Sequence, residues 1–138
     1  MYTVYDAAAS VPSATFGSLS RAIPGTPSTI ILAEFGLATG SPSPRVLLDA
    51  TVGVSAVLLA PNIVFSILRD GAVIFTTQAQ ESLTVIQNET ISFTTADINV
   101  APGYHSYQLV ASLTNALLNA ANVVGPVTFT GISLQKSS

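Results

Sequence analysis

The stretch Ile63-Val64-Phe65-Ser66-Ile67-Leu68-Arg69, then Asp70-Gly71, then Ala72-Val73-Ile74-Phe75-Thr76-Thr77, decides the fold class. Two runs rich in β-branched and aromatic residues flank a two-residue Asp-Gly step, the pattern of a tight β-hairpin. Such a turn needs positive φ at both central residues. Glycine adopts it freely for want of a Cβ, and aspartate tolerates it. Two antiparallel strands follow, with Phe65, Ile67 and Phe75 as candidate core side chains by alternation.

Working outward, the same strand-and-turn grammar continues. Upstream lie a compact apolar run, Thr29 to Phe35, a breaker cluster, Thr39-Gly40-Ser41-Pro42-Ser43-Pro44, and a Val/Leu/Thr-rich segment from Arg45 to Leu59 that ends at Pro61-Asn62. Downstream, Gln78, Gln80 and Glu81 mark a polar loop. Thr90 to Val100 alternates in part, with Ile91, Phe93 and Thr95 on one side. Ala101-Pro102-Gly103 forms a turn, and Tyr104 to Ser112 puts His105, Tyr107, Leu109 and Ala111 on one face. Thr114 to Asn122 reads as a loop or edge strand rather than a short helix, because asparagines punctuate it. Val123 to Leu134 is the last strand, with Phe129 and Ile132 as core candidates. Roughly seven or eight strands with turns roughly every 8–12 residues predict an all-β sandwich or barrel.

The first region, rich in Ala, Ser, Thr and Pro, has no clear apolar period. It reads as an extended arm that orders only by docking on its own domain or on a neighbour. The division adopted is an N-terminal arm or connector over 1–23 and a β domain over 24–138.

Composition narrows the function. Only 8% of the 138 residues are charged, against about 25% in an ordinary soluble domain. A surface so poor in charge favours association with other molecules. The net charge is −3, and the basic residues Arg21, Arg45, Arg69 and Lys136 are scattered. Nucleic-acid binding needs them clustered, so that partner is not expected. No stretch approaches the roughly 18 uninterrupted apolar residues of a membrane helix, so membrane insertion is not expected either. The absence of cysteine removes disulfides, thiolate metal sites and a cysteine nucleophile.

Catalytic chemistry is equally thin. His105 has no partner at motif spacing and reads as structural rather than as a general base. The acidic residues Asp6, Glu34, Asp49, Asp70, Glu81, Glu89 and Asp97 are isolated from one another, unlike the dense acidic loop of a calcium site. Asp70 is a turn residue before it is a ligand. Asn88-Glu89-Thr90 matches a glycosylation acceptor, a three-residue pattern that arises often by chance. Gly36, Gly40 and Gly53 do not form a phosphate loop. No enzyme activity, cofactor or metal is expected.

Two segments carry a family likeness. One is Arg45 to Val54 followed by Val64 to Gly71 and Val73-Ile74-Phe75. The other is Ala101 to Tyr107 followed by Ala121-Asn122-Val123-Val124-Gly125-Pro126-Val127-Thr128-Phe129-Thr130-Gly131. Together they resemble the exosporium protein C-like family of small spore-surface proteins of endospore-forming bacilli, from about Pro24 to Leu134. The resemblance implies a jelly roll of the C1q/TNF-like kind and a place in the exosporium or its fibres. It also implies synthesis in the mother-cell cytoplasm, in keeping with an opening Met1-Tyr2-Thr3-Val4-Tyr5-Asp6 that carries no secretion signal. Related appendage subunits polymerise by inserting an N-terminal strand into the next copy. By that analogy Met1 to Val11 is the candidate donor, with Tyr2, Thr3, Val4, Tyr5 and Val11 as subunit-interface residues. Unlike the cysteine-bearing appendage proteins, this chain cannot staple its copies covalently. The expected partners are copies of itself and other exosporium proteins. The alternative is a trimeric C1q/TNF-like binding head.

Overall fold

The Asp70-Gly71 step does what its residue types predict. In a computed structural model, which describes residues 1–57, 62–80, 87–114 and 120–137, Asp70 has φ +52° and Gly71 φ +85°. They close the hairpin between two strands, Asn62–Arg69 and Ala72–Gln80. In chain order the strands are β1 (Tyr2–Ser13), β2 (Arg21–Ala22), β3 (Ile30–Thr39), β4 (Arg45–Val57), β5 (Asn62–Arg69), β6 (Ala72–Gln80), β7 (Gln87–Asp97), β8 (Gly103–Leu113) and β9 (Ala120–Lys136).

They build two antiparallel sheets packed face to face as a β-sandwich. The first has the order β1-β9-β4-β7, with the short β2 also on β9; the second has the order β3-β8-β5-β6. The pairing is nested: β5 with β6, β4 with β7, β3 with β8 and β1 with β9. Each outer pair encloses the inner one in sequence, as if one long hairpin had been rolled up.

Period-2 alternation fills the space between the sheets. Val46, Leu48, Ala50, Val52 and Val54 enter from β4, and Ile63, Phe65 and Ile67 from β5. Tyr107, Leu109, Ala111 and Leu113 enter from β8, and Val123, Val127 and Phe129 from β9. Each large side chain among them contributes roughly 1.5–3 kcal/mol by leaving water. Phe75 and Phe93 are half-buried at the open side of the sandwich, where their rings stack at 5.7 Å. Ile132 departs from its expected place and lies 40% exposed. The inward positions beside it are Gly131 and Ser133. The Phe35 ring packs where a Gly131 side chain would be, 4.7 Å from the Phe129 ring.

Three boundaries also differ from the sequence reading. Gln78 and Gln80 belong to β6 rather than to a loop, while 81–86 lie outside the described residues. Of the segment Thr114 to Asn122, Ala120 to Asn122 start β9, and 115–119 lie outside the described residues. The last strand therefore begins before Val123 and continues past Leu134. Its Pro126, which has no N–H to donate, lies where β9 bulges, Val124, Gly125 and Pro126 standing against one residue of β4 between Val52 and Val54. Opposite the bulge is Gly53, where a Cβ would overlap the Gly125 carbonyl.

Candidate assembly surface

Residues 1–23 are built into the sandwich. Tyr2–Ser13 forms a 12-residue strand, and Ile23 is buried in the core. The register runs Tyr2 opposite Lys136, Thr3 opposite Gln135 and Val4 opposite Leu134. After a bulge it resumes with Asp6 opposite Ser133 and continues to Ser10 opposite Phe129. Along this strand the residues toward the core are small or polar, Ala8 and Ser10 among them, so backbone bonding to β9 supplies most of the attachment.

The five residues singled out from the sequence fall into two groups. Tyr2 is half-buried, with the Arg45 guanidinium 4.6 Å above its ring, a cation–π contact. Thr3, Val4, Tyr5 and Val11 are exposed, Val4 to 67% and Tyr5 to 50%. Tyr5 occupies the bulge and lies along Gly40, leaving no room there for a side chain. Asp6, which the sequence did not mark, does the anchoring. Its Oδ2 accepts the Ala38 amide at 2.9 Å and its Oδ1 the Ala7 amide at 2.9 Å. A lone carboxylate in an Ala/Ser-rich segment gives no signal of that role, because its main partner is 32 residues away.

The strand forms one margin of a sheet face with few charges. One cross-strand row on the outer side is apolar from edge to edge: Ala7, Ile132, Leu47 and Ala96, read through successive registers. Leu47 is 43% exposed. Val4 stands beside Leu134 in the adjoining row. The next row on the other side is Ala9, Thr130, Asp49 and Thr94. Beyond it Thr51 and Ser92 share a hydroxyl hydrogen bond of 3.1 Å. Asp49 is the charge on these rows, and Arg45 at the margin is turned over Tyr2.

The ionisable chemistry gathers elsewhere, at the end of the sandwich where β5 turns into β6. Buried Asp97 accepts from Arg69 Nη1 at 2.6 Å to each oxygen and from the Tyr107 hydroxyl at 2.8 Å. Burial, and then the hydrogen bond to Asp97, hold the Tyr107 phenol well above its ordinary pKa. Arg69's own hydrogen bond to Asp97 raises the guanidinium above its ordinary value. A cleft of about 260 Å³ opens beside them, lined by Ile74, Phe75, Asp97, Ile98 and Asn99 among others. His105 has no partner at motif spacing along the chain, and the fold supplies two. Its Nδ1 is 2.6 Å from Asp70 Oδ2 and its Nε2 is 2.7 Å from the Ala101 carbonyl oxygen. Among the described residues, no three His, Asp or Glu side chains come together in a way that could hold a metal ion.

No family model and no curated protein matches this chain. Among solved structures it is similar to the dimeric latent PorU of Porphyromonas gingivalis, at 12% identity and a TM-score of 0.52. The likeness covers 94% of this chain and 13% of that one. At that identity the shared property is the β-sandwich fold.

Proposed function

We propose that this chain is a non-enzymatic structural subunit that assembles with copies of itself, the β1 strand of one copy adding to the β9 edge of the next. The observation that carries the reading is the attachment of β1. Among the described residues it is an edge strand with β9 as its single sheet neighbour, and most of its inward side chains are small or polar. A neighbour's β1 offers the same backbone donors and acceptors in the same register, so exchange between copies replaces like with like. The exposed side chains of Val4, Tyr5 and Val11 are then available to the adjoining subunit. A head-to-tail contact of this kind propagates as a fibre when its rotation does not close into a ring.

Two features support the absence of catalysis. Both nitrogens of His105 face fixed oxygens, and Asp97 is taken by Arg69 and Tyr107. The nested strand pairing supports the jelly-roll form of the sandwich. The sequence resemblance supports a place on the endospore surface, in the exosporium or its fibres, with other exosporium proteins as further partners.

The apolar row Ala7-Ile132-Leu47-Ala96 favours a second reading, a closed trimeric head whose copies meet through this face. Electron microscopy of the purified chain beside a version lacking residues 1–11 separates the two. Fibres from the full chain and none from the truncated one are expected. Discrete particles with the mass of three copies in both preparations would favour the closed head.

A further inference from the structure

The environment of His105 is built from acceptors. Asp70 Oδ2 belongs to a carboxylate that also accepts the Ser106 amide at 2.8 Å through Oδ1. The Ala101 oxygen is a backbone carbonyl, which accepts and never donates. A neutral imidazole carries one N–H, so it can satisfy only one of these oxygens and must turn a bare nitrogen lone pair toward the other. The imidazolium has two N–H donors and satisfies both. With the His105 side chain only 12% exposed, water has little room to take over a missing partner.

The two oxygens belong to different loops. Asp70 sits in the β5–β6 turn and its own amide donates to the Ser106 carbonyl at 2.8 Å. Ala101 lies between β7 and β8, and its carbonyl also accepts the Thr39 hydroxyl at 2.7 Å from the end of β3. One ring therefore joins the β5–β6 turn to the β7–β8 turn, at a point where β3 is also tied.

We propose that His105 is a charge-dependent clamp, its imidazolium locking the β5–β6 and β7–β8 turns together in mildly acidic surroundings and loosening them when the ring loses its proton. The neighbouring charges are consistent with this. Asp70 favours the charged ring, and Arg69 opposes it. Asp97, beside Arg69 at the end of β7, binds that guanidinium through both oxygens, while the Tyr107 phenol is held neutral. Burial alone would lower the His105 pKa, but the hydrogen bonds to Asp70 and Ala101 and the Asp70 charge outweigh it and raise it above 6.5.

The direction with pH follows. A raised pKa means the ring's contribution is complete below 6.5 and fades as the pH climbs through the folded value. Asp70 behaves oppositely. The hydrogen bond from His105, then that from the Ser106 amide, lower its pKa from 3.8, so its contribution is complete above that value and fades on acidification. The clamp is tightest between the two.

His105 is the single histidine of the chain, so its ring can be followed without ambiguity by nitrogen-detected NMR. The expected result is a titration above 6.5, with both ring nitrogens protonated at about pH 6, and a lower midpoint in Asp70→Asn. The urea midpoint of the wild type should be higher at about pH 5.5 than at about pH 8.5, with His105→Gln removing most of that difference. A wild-type ring that titrates at or below 6.5 would overturn the proposal without recourse to any variant. An unchanged pH dependence in a folded His105→Gln chain would do the same.

Discussion

β4 and β1 belong to the same sheet, yet they are held in different ways. β4 has β9 on one side and β7 on the other, and it inserts Val46, Leu48, Ala50, Val52 and Val54 into the core. Among the described residues β1 pairs with β9 alone, is tied to β3 through the Asp6–Ala38 hydrogen bond, and offers the core little beyond Ala8. Five buried side chains, four of them Val or Leu, outweigh one methyl group by several kcal/mol at about 0.8 kcal/mol per buried CH₂. One strand is fixed by what it buries. The other is held by a hydrogen-bond ladder that any copy of the same strand can reproduce, and that difference makes β1 the element suited to exchange.

The comparison can be broken at several points. The largest effect is expected from Phe129→Ala at the centre of β9, beneath both strands. Loss of a fully buried ring beside Phe35 should lower unfolding free energy by about 3–5 kcal/mol in chemical denaturation. Next is Asp97→Ala, which strands Arg69 and Tyr107. Because the Arg69 side chain stays 22% exposed and can regain water, about 2–3 kcal/mol is expected. Asp6→Ala removes the tie from β1 to the Ala38 amide and should cost about 1 kcal/mol. The loss should appear as faster amide hydrogen exchange confined to β1 while β4 and β9 stay protected. If β4 loosened equally, the two strands would not be independent and the contrast would fail. Val4→Ser is expected to change monomer stability by less than about 0.5 kcal/mol, yet to weaken assembly measured by light scattering.

How much of this was readable from the sequence depends on how local each cause is. The β5–β6 turn was legible because Asp70-Gly71 carries its own conformational demand. β4, β5 and β8 were legible because large apolar residues alternate along them. β1 was not, since Ala7, Ala8 and Ala9 look alike whichever way they face. Ile132 misled for a related reason: Gly131 and Ser133, its inward neighbours, look less like core residues than it does. Only the fold discloses that Phe35, nearly a hundred positions earlier in the chain, fills the space above Gly131. The Asp70–His105 pair spans 35 residues and follows from the β5–β8 register, which no spacing motif encodes.

The exchange of β1 can be tested directly, because the chain has no cysteine of its own. Ala9 and Thr130 face each other across β1 and β9, at a spacing that a disulfide can bridge. Two single-cysteine chains, Ala9→Cys and Thr130→Cys, would be mixed under assembling conditions and then oxidised. Strand addition between copies predicts a disulfide joining one chain of each kind, read by mass spectrometry. If the assemblies form but the mixed disulfide does not, while the double variant closes readily within one chain, β1 stays at home and the account of assembly is wrong.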